Sequence, residues 1–308
     1  MERRINAISI GSPISDVLKE EARGRVHSVF DRTFNLLIDD RLVGIARKDV
    51  YPGPSNVIVD VPPTEDMPAL GVEKDMKTHV NDNLLSVGRI LEFSLNDAKF
   101  WRPKTRVENH VDLEILGKNL ELAKRLLSAK AGEEGLEQLS LYIDEIRHGN
   151  EPYGELNKVT GKAGPRLTDL VRSIKSSDLI GIGRNAEKLI GLGPGLTPSG
   201  DDLLTGLMIA LRWMAGSVNG NFEIVRKINE TIIDAADSTT LISEQQLIHA
   251  SRGETNALIQ ELIEAIFIGS STDVEVGVER VSKIGETSGA DIMVGLFLGL
   301  AVGLERID

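Results

Sequence analysis

The spacing of apolar positions changes once along this chain. In residues 25–39, "RVHSVFDRTFNLLID", apolar and β-forming side chains recur at every second position. "LVGIAR" (42–47) and "NVIVDVP" (56–62) follow, bounded by Gly, Pro, Asp or Asn, and Asp39-Asp40 reads as a turn between two strands. "LLSVGRILEF" (84–93) reads as a strand or strand pair with a glycine suited to a bend. Short strands at this spacing predict a small barrel or sandwich. The proline and pattern change in "FWRPKTR" (100–106) mark a boundary, giving a β-rich domain over 1–105 and a mostly helical domain over 106–308. The predicted class is α+β.

Beyond the boundary the period is helical. Leu113, Leu116, Leu120, Ala123 and Leu127 fall on one helix face, and "GLEQLSLYIDEIRHG" (135–149) repeats the pattern, with Gly149 as its C-cap. The polar stretch 150–166, "NEPYGELNKVTGKAGPR", reads as a loop. Two shorter helices are expected over 166–178 and 186–193. Six more are expected over 203–215, 222–237, 243–251, 254–267, 274–284 and 291–304.

One motif occurs twice. Ser199, Gly200, Asp202, Gly206 and Leu207 match Ser288, Gly289, Asp291, Gly295 and Leu296, each 89 residues on. The shared S-G-x-D-x-x-x-G-L predicts two similar turn–helix units, with an expectation that their turns converge. The architectural reading is a pair of capping boxes, serine on an orphan amide and acid on the cap amide, above helices that cross on glycines. The first copy carries more than a cap needs: Gly191, Gly193 and Gly195 precede Thr197 and Ser199, and Asp201 stands beside Asp202. Its amides and hydroxyls suit an anion, and its acids suit an amine or Mg²⁺. The ligand candidates are Gly193, Gly195, Thr197, Gly200, Ser288, Gly289 and Asp291. The catalytic candidates are Ser199, Asp201 and Asp202, with Asp202 assigned to the cap and Asp201 to the ligand, or the two reversed. Arg184, Lys188, Arg252 and Lys283 are candidate cations. The loop has no lysine of a Walker motif and no Rossmann context.

Composition narrows the chemistry. The chain has 308 residues, a net charge of −12 and no cysteine, which excludes disulfides and thiolate chemistry and disfavours nucleic acid and anionic membranes as partners. The five histidines, His27, His79, His110, His148 and His249, lack metal-ligand spacing, so no metal site is assigned and the cofactor stays unknown. Trp101 and Trp213 read as packing anchors. The N-terminus does not read as a signal peptide. The apolar run 292–304 falls short of a bilayer span and reads as a buried helix. A cytoplasmic location is expected.

"GLGPGLTPSGDDLLTGL" (191–207) resembles the signature of the AllH-like family. "GRVHSVFDRTFNLL" (24–37), "TTLISEQQLIHASRGE" (239–254) and "GETSGADIMVGLFLGL" (285–300) resemble its other motifs in the expected order. The resemblance implies a subunit of an oxamate carbamoyltransferase of allantoin breakdown. Such an enzyme passes a carbamoyl group between the oxamate nitrogen and phosphate, with further subunits, one of them FdrA-like. The last motif departs from the family pattern. Glu286 stands where a histidine is expected, and Ala290 where a bulky aromatic is expected. The alternative is a non-catalytic subunit that binds an anionic metabolite or serves as a scaffold, its S-G-x-D turns being helix caps.

Overall fold

Nine strands fill the first unit of the computed structural model, which describes residues 3–130, 132, 134–218 and 220–305. The chain divides into residues 1–103 and 104–308. The strands are β1 (Arg3–Gly11), β2 (Arg23–Val29), β3 (Thr33–Ile38), β4 (Arg41–Arg47), β5 (Asn56–Val59), β6 (Lys77–Asn81), β7 (Leu84–Val87), β8 (Leu91–Ser94) and β9 (Lys99–Trp101). Their order β5-β4-β3-β2-β6-β7-β8-β1 closes on itself through β1–β5 pairing, Ala7 opposite Val59. Closure makes an eight-stranded barrel and leaves no open edge among those eight. β9 pairs in parallel with the second half of β1. The lumen is filled by alternate residues, among them Val26, Phe34, Leu36, Val43, Ile45, Leu85 and Phe93. Asp39 and Asp40, both at positive φ, make the tight turn from β3 to β4.

The sequence reading passed over β1 and β6. A bulge between Ala7 and Ser9 shifts the register of β1, so Ile8 faces out and Ile10 faces in, which breaks the alternation. In β6 only Thr78 and Val80 point inward, too few for a pattern.

The second unit is helical, with α1 (Leu113–Ser128), α2 (Ile143–Arg147), α3 (Lys158–Ser176), α4 (Leu179–Glu187), α5 (Ser199–Ser217), α6 (Phe222–Asp234), α7 (Leu241–Ser251), α8 (Ala257–Ile268), α9 (Ser271–Val281) and α10 (Ser288–Glu305). The expected loop over 150–166 is instead largely the start of α3. Asn157 caps it, accepting from the amides of Val159 and Thr160. The buried stripe Thr160, Ala163, Leu167, Val171 and Ile174 outweighs the helix-breaking Gly161, Gly164 and Pro165. The helix expected over 186–193 lies earlier, as α4 behind its cap Asp178. Leu189 and Ile190 are buried, but in the turns that follow it.

Packing repeats across this unit. α3 packs on α4, α4 on α6, and α5 on α6 and α7. Correspondingly α8 packs on α9, α9 on α1, and α10 on α1 and α2. One half is therefore α3–α7, and the other joins α8–α10 to α1–α2. The halves meet where α5 and α10 lie side by side in the same direction. Gly206 abuts the Ile292 carbonyl and the Leu296 amide, and Gly295 abuts the Leu203 carbonyl and the Leu207 amide. These contacts are reciprocal at the 89-residue offset, which is the signature of an approximate two-fold axis. No side chain fits at either glycine. Among the described residues, α10 alone is long and apolar enough to cross a membrane, and 83% of it is buried inside the fold.

Candidate functional site

Because α5 and α10 run in parallel, both S-G-x-D turns arrive at one place. The Thr197 and Ser288 hydroxyls, 91 residues apart in sequence, stand 3.0 Å from each other. The turns are built alike: the Gly200 amide donates to the Leu192 carbonyl, and the Gly289 amide to the Ile284 carbonyl. The first bond spans eight residues and the second five, so the first copy has three more. Its excess contains Gly193-Pro194-Gly195, with φ of 115° and 96° at the two glycines, a region that side chains oppose.

Ser199 does not cap. α5 begins at Ser199 itself, its N-cap is Pro198, and no side chain caps it. The amides of Gly200, Asp201 and Asp202 donate to the carbonyls of Leu192 and Pro198, so they do not point at a ligand as an anion cradle would require. The two acids are held differently. Asp201 holds the loop: Oδ1 accepts from the Gly191 amide at 2.9 Å, and Oδ2 from the Thr239 hydroxyl. The Thr240 hydroxyl ties the loop further by donating to the Leu196 carbonyl. Asp202 is the acid left over. It is 1% exposed, and neither carboxyl oxygen has a hydrogen bond of ordinary geometry.

Asp291, equally buried, is half held. Its Oδ1 accepts from the Leu136 amide at 2.6 Å, and its Oδ2 has no partner. Gly135 sits so close, at positive φ, that a Cβ there would press on Asp291 Oδ1 and Thr287. Burial pushes the Asp202 carboxyl up to about 8. The nearby Ser288 and Thr197 hydroxyls oppose this, and the charges of Asp291 and Asp201 reinforce it. Burial likewise pushes Asp291 up to about 6, against the Ser199 hydroxyl, the Leu136 amide and the Thr287 hydroxyl, and with the charge of Glu137. The Asp202 environment thus crosses to Ser288, and that of Asp291 crosses to Ser199, a second reciprocal pair at the same offset. Two carboxyls pushed apart in this way suit one acid and one base role at neutral pH.

The structure therefore gathers Thr197, Ser199, Asp202, Ser288 and Asp291, with Gly193 and Gly195 in the overlying loop and Gly200 and Gly289 packed beneath. The candidate cation Lys283 instead pairs with Glu279 at 2.8 Å. Glu286 is exposed, and Ala290 is buried. Trp213 is a core anchor, donating to the Gly253 carbonyl and packing on Phe267. Among the described residues no group of three or more His, Asp or Glu side chains could hold a metal ion. Sequence reasoning missed Thr239, Thr240, Thr287, Gly135 and Leu136. Thr239, Thr240 and Thr287 lie within the family-like motifs, whereas the helical pattern of 135–149 does not mark Gly135 or Leu136 as near the site.

Two family models match the chain. The model for the oxamate carbamoyltransferase subunit AllH matches residues 189–300, and the model for the AllH family N-terminal domain matches residues 6–100. The first match contains both S-G-x-D turns and the second most of the barrel. No solved structure matches the chain.

Proposed function

This chain belongs to the AllH family of oxamate carbamoyltransferase subunits, and from that premise we propose that its two convergent turns are the carbamoyl-transfer site. Membership as a subunit implies other subunits, and an FdrA-like chain is the partner proposed here. The observation that carries the reading is Asp202, a buried carboxyl that only the nearby Ser288 and Thr197 hydroxyls approach, where two helix starts meet.

In the proposed reaction the oxamate nitrogen attacks the carbamoyl carbon of carbamoyl phosphate. A C–N bond forms, the C–O bond to phosphate breaks, and the nitrogen loses a proton, giving oxalurate and phosphate. Asp291, largely ionised at neutral pH, accepts that proton. Asp202, protonated at the same pH, donates a hydrogen bond to the carbamoyl oxygen or to the departing phosphate. Thr197 and Ser288 orient the small anionic substrate, and the Gly193–Gly195 loop covers it. Holding the reactants in place accounts for a large share of the acceleration.

The test is the rate of carbamoyl transfer between oxalurate and phosphate in the enzyme assembled with its other subunits. Asp202→Ala, which removes the donor, and Asp291→Asn, which removes the base, are each expected to lower kcat by about 10²–10³. The pH profile is expected to be bell-shaped, with limbs near 6 and 8. Full activity in both variants would overturn the reading. It would favour the second one, a non-catalytic subunit, and the internal use of the α5 first-turn amides supports the scaffold form of that reading.

A further inference from the structure

The two halves differ on one face. α5 and α7 lie side by side in the same direction. Asp201 bonds Thr239 at the start of α7, Asn229 bridges the Met208 and Ser251 carbonyls, and Trp213 reaches Gly253. Between the first two of these rungs lie Thr205 on α5 and Ser243 and Gln246 on α7. Thr205 Oγ1, Ser243 Oγ and Gln246 Oε1 are all buried without a hydrogen-bond partner, and so is Asn229 Oδ1 at the second rung. Ser243 is fully buried, and Thr205 is 6% exposed. Four such oxygens on the mutually packed α5, α6 and α7 are costly unless something satisfies them.

The fold does not require them. At the 89-residue offset Asp201 becomes Ala290 and Thr205 becomes Val294, both buried. The elements that pack on α10 there are likewise apolar, with Leu139 in the turn before α2 and Ile143 and Ile146 on α2 all buried. One half closes this seam with hydrocarbon, and the other keeps it polar, one turn beyond Asp202.

We propose that Thr205, Ser243, Gln246 and Asn229 form a second subsite that takes the uncharged NH₂ of a carboxamide or carbamoyl group. The chemistry follows from the inventory. The Gln246 and Asn229 amide oxygens can only accept, and the Thr205 and Ser243 hydroxyls can accept or donate, so an occupant with N–H donors and a carbonyl can satisfy all four. The unpartnered seam atoms carry no charge, and Asp201 at its mouth already has both oxygens engaged. A neutral amide therefore fits better than a phosphate. This assignment rests on the carbamoyl-transfer reading and names the part of the substrate that this face recognises.

The experiment compares oxamate with oxalate, which lacks the NH₂, as ligands of the chain purified with its co-purifying subunits. Binding is read by calorimetry and melting temperature. The wild-type protein is expected to prefer oxamate about tenfold, because a site built around a donor rejects a ligand without one. Thr205→Val with Ser243→Ala is expected to melt no lower than wild type and to lose that preference. Thr205→Ser is expected to keep it, which separates the hydroxyl's role from packing. Equal wild-type binding of the two probes, or a preference that survives the double variant, would overturn the subsite and leave the transfer site standing. Binding of neither probe by the wild-type assembly would overturn both. If the double variant fails to fold, Gln246→Leu supplies the same comparison, and a retained preference there would overturn the subsite.

Discussion

The first S-G-x-D turn and the second are one design used twice, and they have parted in different places. What they share is close approach: Gly206 and Gly295 on the α5–α10 axis, and Gly200 and Gly289 against the carbonyls of Leu189 and Val281. What they do not share is polar: the Gly-Pro-Gly excess, Asp201 against Ala290, and Thr205 against Val294. Shared positions record what parallel packing demands. Divergent ones mark where the two copies place different groups in the same packing frame. Asp202 and Asp291 are shared yet unequal, because the Leu136 amide serves only Asp291.

Breaking the shared part is expected to cost most. Gly206→Ala and Gly295→Ala each force a methyl into a facing carbonyl. Each should lower the urea-unfolding free energy of the chain by about 3 kcal/mol or more, by similar amounts. A cost at one glycine several-fold below the other would break the two-fold description.

Asp202→Asn comes next. The folded carboxyl is raised from 3.8 to about 8, so the folded state holds its proton more tightly than the unfolded chain. Its contribution to stability is therefore fully present below about pH 4 and is lost as pH rises through 8. The variant should out-melt the wild type increasingly from pH 5 to 9, by on the order of 3 kcal/mol at the alkaline end. A constant difference would show that the carboxyl is not buried unpaired. Asp201→Ala, which frees Gly191 and Thr239, should cost about 1–2 kcal/mol and speed amide exchange at Gly191. Ser199→Ala should be smallest, within about 0.5 kcal/mol, because Pro198 and not Ser199 occupies the cap. A loss near 1 kcal/mol would restore the serine as a cap.

Much of this was legible in the chain. The period switch near residue 100, the Asp39-Asp40 turn and the 89-residue repeat needed only spacing. The repeat could be read because glycine at a helix crossing has no substitute. The roles of Asp201 and Asp202 could not be read. They depend on which acid faces Thr239 and which faces Ser288, and those partners lie tens of residues away. α3 was hidden for the opposite reason: local propensity argued against a helix that tertiary burial sustains. The barrel's closing strand was hidden by its bulge.

The second half of the helical unit is assembled from separated pieces of chain, and this sets an order of events during synthesis. α3–α7 are contiguous and can collapse as they are made. α1 ends at Ser128, and its partner α8 begins only at Ala257. At cellular elongation rates that gap is on the order of ten seconds. For that interval the stripe of Leu116, Leu120, Ala123 and Leu127 has no α8 or α9 to cover it, and Asp291, with half of the proposed site, has not been made.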